Sequence, residues 1–222
     1  MPPGGGEVAG DSSAEKRIEI LCDRDELHAT WTRMGRRRDG ASPHVHRTHS
    51  DLFYVLEGEL AVTVGDDLSE IAAPAGTLVL APPLLVHGFR NATDAEACYL
   101  NFHAPGGGFA DYLRGNTPGF DSEDPPADGG RPVEDAIVAR AEGDREVAVL
   151  ADVDEIRVTE VRGSGVEPSP GHLTCIYVLE GALTIEVGGP ELRAEAGAWV
   201  RIPPGLEHSV SAGGARFLEI RA

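Results

Sequence analysis

The chain contains an internal repeat, and this repeat constrains the fold more than any other feature of the sequence. The segment LCDRDELHAT at 21–30 recurs as LADVDEIRVT at 150–159, and YVLEG at 54–58 recurs unchanged at 177–181. A repeat that contains both apolar runs and turn residues indicates that one structural unit has been duplicated. The sequence therefore predicts two tandem copies of the same fold.

Each copy reads as a series of short β-strands. The segments ELAVTVGDD at 59–67 and ALTIEVGG at 182–189 alternate apolar and polar residues and end in Gly or Asp, which is typical of hairpins. The segment GFADYLR at 108–114 is an exception, because its apolar residues are spaced three to four apart and predict a short helix. The fold class is therefore predicted to be all-β.

Three histidines and one aspartate form a candidate metal site in the first copy. His44 and His46 are two residues apart, so that in a strand their side chains lie on the same face. Asp51 begins the next apolar strand, and His87 follows another strand that ends at a proline pair. Imidazole and carboxylate groups are common ligands of divalent transition metals. We therefore predict a metal site of His44, His46, Asp51 and His87.

The spacing of these ligands resembles the two conserved motifs of the cupin superfamily. The residues that carry the resemblance are Gly40, His44, His46, Asp51, Gly58, Gly76, Pro82, His87 and Asn91. The resemblance covers about residues 17–105 and 146–222, and it implies two tandem cupin barrels, which are double-stranded β-helices of the jelly-roll type. The chain has Asp51 where the family usually has Glu, and Leu84 where it usually has Gly. His49 is the alternative fourth ligand; otherwise it is a solvated histidine or one that supports a ligand.

The second copy lacks most of these ligands. Alignment through YVLEG places Glu167, Ser169 and Thr174 at the positions of the first three ligands, and only His208 retains a ligand type. Since a tight transition-metal site needs three or four protein ligands, we expect no metal in the second barrel.

The predicted domain organisation has four parts. Residues 1–16 are expected to form a disordered tail and residues 17–115 the metal-binding cupin barrel. Residues 116–145, rich in Pro, Gly and acidic residues, are expected to form a linker, and residues 146–222 the second cupin barrel with its degenerate metal motif.

Composition excludes some partners and compartments. The formal net charge of −18 argues against a nucleic-acid-binding surface. No apolar run reaches the roughly 18 residues of a membrane span, and the N-terminus lacks the basic and apolar regions of a secretory signal. A cytoplasmic chain with no membrane partner is expected. The cysteines Cys22, Cys98 and Cys175 are far apart and are expected to be buried free thiols.

Two classes of function are compatible with this sequence. The first is a metal-dependent cupin enzyme that acts on a small organic molecule, an oxygenase foremost, with isomerases and decarboxylases in the same class. The alternative is a nonenzymatic cupin that binds or senses a small molecule. The ligands do not distinguish Fe, Mn, Ni, Co, Zn and Cu. We expect a monomer with intramolecular pairing of its barrels, or a homodimer. The arginines at 36–38 are expected either to attract an anionic substrate or to pair with surface carboxylates.

Overall fold

The computed structural model describes residues 6–9, 13, 15–163 and 171–222. The described residues form two compact units, 6–140 and 141–222. The predicted all-β class is confirmed, and the described part of each unit contains two antiparallel sheets, as expected for two tandem barrels. No helix in the described ranges has the length and apolar character needed to span a membrane.

The first unit consists of two antiparallel sheets with one short helix. Its strands are β1 (Glu7–Ala9), β2 (Lys16–Asp23), β3 (His28–Met34), β4 (Arg38–Asp39), β5 (Ser50–Glu57), β6 (Glu59–Val64), β7 (Ser69–Pro74), β8 (Thr77–Ala81), β9 (His87–Asn91), β10 (Ala97–Ala104) and β11 (Ile137–Arg140), with α1 at Phe109–Leu113 and a 3-10 turn at Val133–Asp135. Within the described residues, one sheet has the order β1-β2-β3-β10-β5-β8-β11 and the other β4-β9-β6-β7. The helix α1 lies where the apolar spacing predicted it.

The second unit repeats this plan with fewer strands. Its strands are β12 (Val147–Val153), β13 (Ile156–Arg162), β14 (Thr174–Glu180), β15 (Ala182–Val187), β16 (Glu191–Glu195), β17 (Trp199–Ile202), β18 (His208–Ala212) and β19 (Arg216–Arg221). In the described part of this unit, the sheet orders are β12-β13-β19-β14-β17 and β16-β15-β18. The central order β3-β10-β5-β8 of the first unit corresponds to β13-β19-β14-β17 here.

Matching positions of the repeat fill both cores. Val55 and Leu60 of the first core correspond to Val178 and Leu183 of the second, and all four side chains are buried. In each copy the residue after the shared YVLE is a glycine with positive φ, 74° at Gly58 and 76° at Gly181. Residues other than glycine rarely adopt this conformation, so the repeated glycine supports the tight turn between the two strands.

The sequence predictions for the tail and the linker differ from the structure. Within residues 1–16, Glu7–Ala9 form β1 and pair with β2; residues 1–5, 10–12 and 14 lie outside the described residues. Residues 116–140 belong to the first unit, and β11 pairs with β8 at its sheet edge. The segment had the composition of a linker because it is rich in Pro and Gly. Its strand β11 has four residues, and several of its other contacts are made by the backbone, so neither leaves a periodic pattern in the sequence.

The three cysteines are buried and form no disulfide, as expected. Burial and the nearby Glu57 carboxylate raise the pKa of the Cys98 thiol to about 11. This thiol is therefore protonated at neutral pH and unreactive.

Candidate metal centre

The four predicted ligands lie together in the first barrel. One ligand atom from each of His44, His46, Asp51 and His87 lies within 4.8 Å of the others. Asp51 stands near the start of β5 and His87 begins β9, so that the two sheets bring their side chains into one interior. His46, Asp51 and His87 are buried, and His44 is partly exposed. The structure thus brings these four residues together, and metal binding by them stays a prediction.

His44 and His46 share a face, although they do not lie in a regular strand. His44 forms an isolated bridge with His87, through two backbone hydrogen bonds of 2.9 Å, and Val45 forms another with Glu123. The backbone is nevertheless extended enough to place the rings of His44 and His46 4.7 Å apart. Two bridges to different segments therefore replace the predicted strand.

Backbone carbonyls orient all three imidazoles. The contacts are His44 Nδ1 with Ser42 O at 2.7 Å, His87 Nδ1 with Leu85 O at 2.9 Å, and His46 Nδ1 with Asp121 O. A carbonyl oxygen only accepts, so Nδ1 carries the proton and donates, and Nε2 of the neutral ring keeps its lone pair. Nε2 of His46 and of His87 is buried without a hydrogen-bond partner. This is the tautomer and orientation that a metal-binding histidine needs.

Asp51 lies between the histidines. Its Oδ2 atom is 3.3 Å from His87 Nε2 and 3.6 Å from His46 Nε2, while Asn101 Nδ2 donates a hydrogen bond to Oδ1. Burial raises the pKa of Asp51, but the charge interaction and hydrogen bond with His103, together with the nearby rings of His46 and His87, outweigh burial and hold this pKa well below its usual range. The carboxylate is therefore ionised, and its position favours Asp51 over His49 as the fourth ligand.

His49 is buried, so the alternative in which it is solvated was wrong. Its ring is 0% exposed and stacks on His46 with centroids 4.0 Å apart. A Cβ on Gly107 would lie 2.6 Å from His49 Nδ1, so the glycine leaves the space that the ring occupies. His49 belongs to a second group of potential ligands, with His46 and His103.

Sequence reasoning missed three residues of the site, namely Asn101, His103 and Asp121. Asn101 and His103 lie two apart on β10 and share a face, and His103 is the cross-strand partner of Asp51. Polar residues alternating in the apolar strand ACYLNFHA were a usable signal. Asp121 had no such signal, although its carboxylate accepts hydrogen bonds from the backbone nitrogens of Arg47 and Thr48.

Burial and mutual repulsion keep several rings neutral. Burial and the neighbouring His87 lower the pKa of His44 to about 4, and burial with repulsion from His103 lowers the pKa of His49 to about 3. For His46, burial lowers the pKa, but the charge of the nearby Asp51 carboxylate, together with Asp121, raises it overall. Unlike His44 and His49, this ring therefore holds a proton more readily and must release it to bind a cation. Uncharged imidazoles are the form that binds a cation.

His28 makes the metal-free protein sensitive to acid. Burial and repulsion from His103 lower its pKa to about 3, whereas the same group in the unfolded chain titrates near 6.5. Between these values the unfolded state binds more protons, so stability falls as pH falls. From about pH 7.5 to about pH 5, we expect His28 to account for a loss of about 2 kcal/mol in the free energy of unfolding.

Urea unfolding of metal-free protein at the two pH values measures this loss. His28→Leu should reduce the loss by that amount, and His172→Leu, a change at an exposed histidine of the other barrel, should leave it unaltered. Equal pH dependence in the His28 variant and the wild type would contradict the assignment.

A cavity of about 430 Å³ opens onto the site. His44, His46, Asp51 and His103 line it at the metal site. Its aromatic lining residues are Phe89, Tyr99, Phe109, Tyr112 and Phe120. A pocket of this size with apolar walls and a few convergent polar groups is typical of a small-molecule site.

The second barrel retains only part of the arrangement. His208 Nδ1 contacts Leu206 O at 3.2 Å, as His87 contacts Leu85, and its Nε2 atom has no hydrogen-bond partner. Thr174 is buried at the position of Asp51, while Glu167 and Ser169 lie outside the described residues. The described residues contain two groups of three or more potential metal ligands, and both groups lie in the first unit. The absence of a second-barrel metal stays a prediction.

Two of the three consecutive arginines form surface ion pairs. Arg37 Nε lies 2.6 Å from Asp94 Oδ1, and Arg38 Nη1 lies 2.9 Å from Glu15 Oε2. These contacts support the surface-pair interpretation of the cluster.

A family model described as the cupin domain matches residues 33–103 and 158–221, which together make up more than half of the chain. One matched region lies in each of the two units, so the predicted two tandem cupin barrels are confirmed. No curated protein matches the sequence.

Solved structures with the same architecture share little sequence with this chain. Protein Ylba from E. coli is 10% identical, with a TM-score of 0.73 over 100% of this chain and 88% of that one. A putative glyoxylate-induced protein from Pseudomonas aeruginosa is 16% identical, with a TM-score of 0.67 over 94% and 80%. A salicylate 1,2-dioxygenase from Pseudoaminobacter salicylatoxidans, solved as adducts with gentisate, is 16% identical, with a TM-score of 0.61 over 96% and 75%. At such identities the likeness shows the fold alone.

Proposed function

The chain belongs to the cupin family, and we propose that its first barrel is a metal-dependent oxygenase that acts on a small organic molecule. The observation that carries this proposal is the convergence of His44, His46, Asp51 and His87, the first three of which line a cavity of about 430 Å³. A buried ligand set without a cavity would indicate a structural metal, whereas here a molecule of modest size can approach the ligands.

The residues present fit a divalent transition metal. Buried Nε2 atoms of His46 and His87 lack a partner, and the adjoining carboxylate is ionised. We propose that these two histidines, His44 and Asp51 hold the ion, which is Fe, Mn, Ni, Co, Zn or Cu. A bound ion of this kind would supply Lewis-acid or oxygen chemistry.

Other residues position the ligands and line the cavity in which a substrate would bind. Asn101 holds Oδ1 of Asp51, so that Oδ2 faces His46 and His87. Phe109 and Phe120 pack with ring centroids 4.6 Å apart, and His103 contacts both rings. We propose that this aromatic wall excludes water from the site and contacts a planar substrate.

The charges of the cavity favour a substrate without a carboxylate. Among its lining residues, Lys16 is the one cation, whereas Asp51, Glu123 and Asp124 are acidic. Thr30, Thr32 and Asn101 add neutral polar groups to this lining. Hydroxyl groups of phenols or enols therefore suit the cavity better than carboxylates, which here would lack an arginine clamp. The gentisate adducts of the structurally similar dioxygenase support a small hydroxylated ring as the substrate class.

Oxygen consumption tests this proposal. After elemental analysis identifies the native metal, the metal-loaded full chain should consume oxygen with at least one member of a panel of dihydroxybenzenes and enols. Hydroquinone should be a better substrate than gentisate, its carboxylated analogue. His87→Ala should remove the activity. No oxygen uptake with any member of the panel would contradict the oxygenase, and calorimetric binding of the same compounds would then favour the alternative, a nonenzymatic small-molecule-binding cupin.

A further inference from the structure

The first barrel contains three buried histidines that the four-residue metal site does not use. His28, His49 and His103 are 1%, 0% and 2% exposed. Both ring nitrogens of His28 and His49, and Nδ1 of His103, lack a hydrogen-bond partner in the described part of the chain. An unpaired buried polar group costs about 1–3 kcal/mol. Several such groups in one place indicate a ligand that satisfies them.

Two of these histidines form a potential ligand set with His46. One ring nitrogen from each of His46, His49 and His103 lies within 4.8 Å of the others. The rings of His49 and His103 have centroids 4.6 Å apart and an interplanar angle of 33°. We call these three residues the inner histidine cluster. Three imidazoles are the protein ligands of one well-known type of catalytic zinc site.

The carboxylate of Asp51 joins this cluster to the four-residue site. Its Oδ2 atom faces His46 and His87, while its Oδ1 atom lies 3.3 Å from His103 Nε2. A second carboxylate, Asp121, has Oδ2 3.2 Å from His49 Nδ1, outside hydrogen-bond geometry. Two carboxylates beside the two ligand sets reduce the repulsion between two neighbouring cations.

We propose that the inner histidine cluster is a second position for a divalent transition metal, adjacent to the first and linked to it through Asp51. His46 Nδ1 is used by the carbonyl of Asp121, which leaves Nε2 as its only free ligand atom. The single lone pair of Nε2 binds one ion at a time. When both positions are filled, His46 ligates the first ion. His49, His103 and Oδ1 of Asp51 then hold the second, which has fewer imidazole ligands and binds more weakly than the first. The inference rests on the proposed metal site only through His46 and Asp51.

A metal titration of the full chain tests whether it binds one ion or two. Protein stripped with a chelator is titrated with Co²⁺ in competition with a chromophoric chelator. We expect two ions per chain. The second should bind at least about tenfold more weakly than the first, because loss of even one supporting contact lowers metal affinity by about this factor. The double variant His49→Ala with His103→Ala should bind one ion, and the affinity of the first site should fall by about 10–100-fold, because His103 also supports Asp51.

His28→Ala is the matched control. It removes a neighbouring buried imidazole that is not part of the inner histidine cluster, and it should still bind two ions. Circular dichroism and thermal melting establish whether each variant is folded.

Three results would overturn the proposal: one ion at saturation in the wild type, two ions in the folded double variant, or one ion in the His28 variant. If the double variant does not fold, anomalous scattering from Co²⁺-soaked wild-type crystals decides the matter without a substitution. Two peaks about 3.5–4 Å apart are expected for a bridged pair, and a single peak at the four-residue site would overturn the inner position. A wild-type chain that binds no ion would contradict the proposed first site as well, so failure of the two proposals can be distinguished.

Discussion

His87→Ala is expected to lower the affinity of the full chain for its most tightly bound metal ion at least about 100-fold. Loss of a residue that only supports a ligand already lowers metal affinity about 10–100-fold. The Nδ1 atom of His87 is held by Leu85 O at 2.9 Å, and its Nε2 atom is buried without a partner. The substitution therefore removes an oriented ligand. Competition between the protein and a chromophoric chelator measures the affinity, and a melting curve shows that the barrel still folds.

The repeat provides a matched control for this variant. His208 has the same place in the second barrel, with Nδ1 3.2 Å from Leu206 O. His208→Ala removes an equally placed imidazole, yet it should leave the metal affinity unchanged, since Thr174 replaces the carboxylate ligand there. A loss of affinity in the His208 variant, or full affinity in the His87 variant, would mean that the metal lies elsewhere.

The architecture could be predicted because the repeat contains local signals. The turn after YVLE requires positive φ, and glycine occupies it in both copies, at Gly58 and Gly181. The apolar positions that follow, such as Leu60 and Leu183, fill both cores. Such features depend on neighbours along the chain, so the sequence alone reveals them.

The four candidate ligands could be predicted because they stand at the spacings of a known motif. For His103 the alternation of β10 marks a polar residue on one face, but its position opposite Asp51 depends on the register of β10 against β5, which the sequence alone does not give. Asp121 was missed for another reason: its backbone carbonyl holds His46. Every residue has a carbonyl, so its contribution leaves no trace in residue type.

Removal of the segment 116–140 is expected to have the second large effect on metal affinity. Asp121 accepts hydrogen bonds from Arg47, Thr48 and the ring of His46, and Glu123 forms an ion pair with Arg47. These contacts hold the loop that contains His46 and His49. The segment is therefore part of the candidate site, although its composition is that of a linker.

A fragment of residues 6–140 is consequently expected to bind metal as tightly as the full chain, whereas a fragment of residues 17–115 should bind it about 10–100-fold more weakly, because the supports of His46 are lost. The shorter fragment also loses β1 and β11, which cover the edges of the larger sheet, and should melt at a lower temperature. Elemental analysis and chelator competition give the metal content and affinity of each fragment. A fragment of residues 141–222 should bind no transition metal tightly.

Asp121→Ala in the full chain separates the two contributions of this residue. The variant keeps the backbone carbonyl that holds His46 but loses the carboxylate that binds the nitrogens of Arg47 and Thr48. We expect its metal affinity to lie between those of the full chain and the 17–115 fragment. Wild-type affinity in the folded 17–115 fragment would show that the segment is a linker after all, and metal held by the 141–222 fragment would place a site in the second barrel, where Glu167, His172 and His208 are the residues to examine.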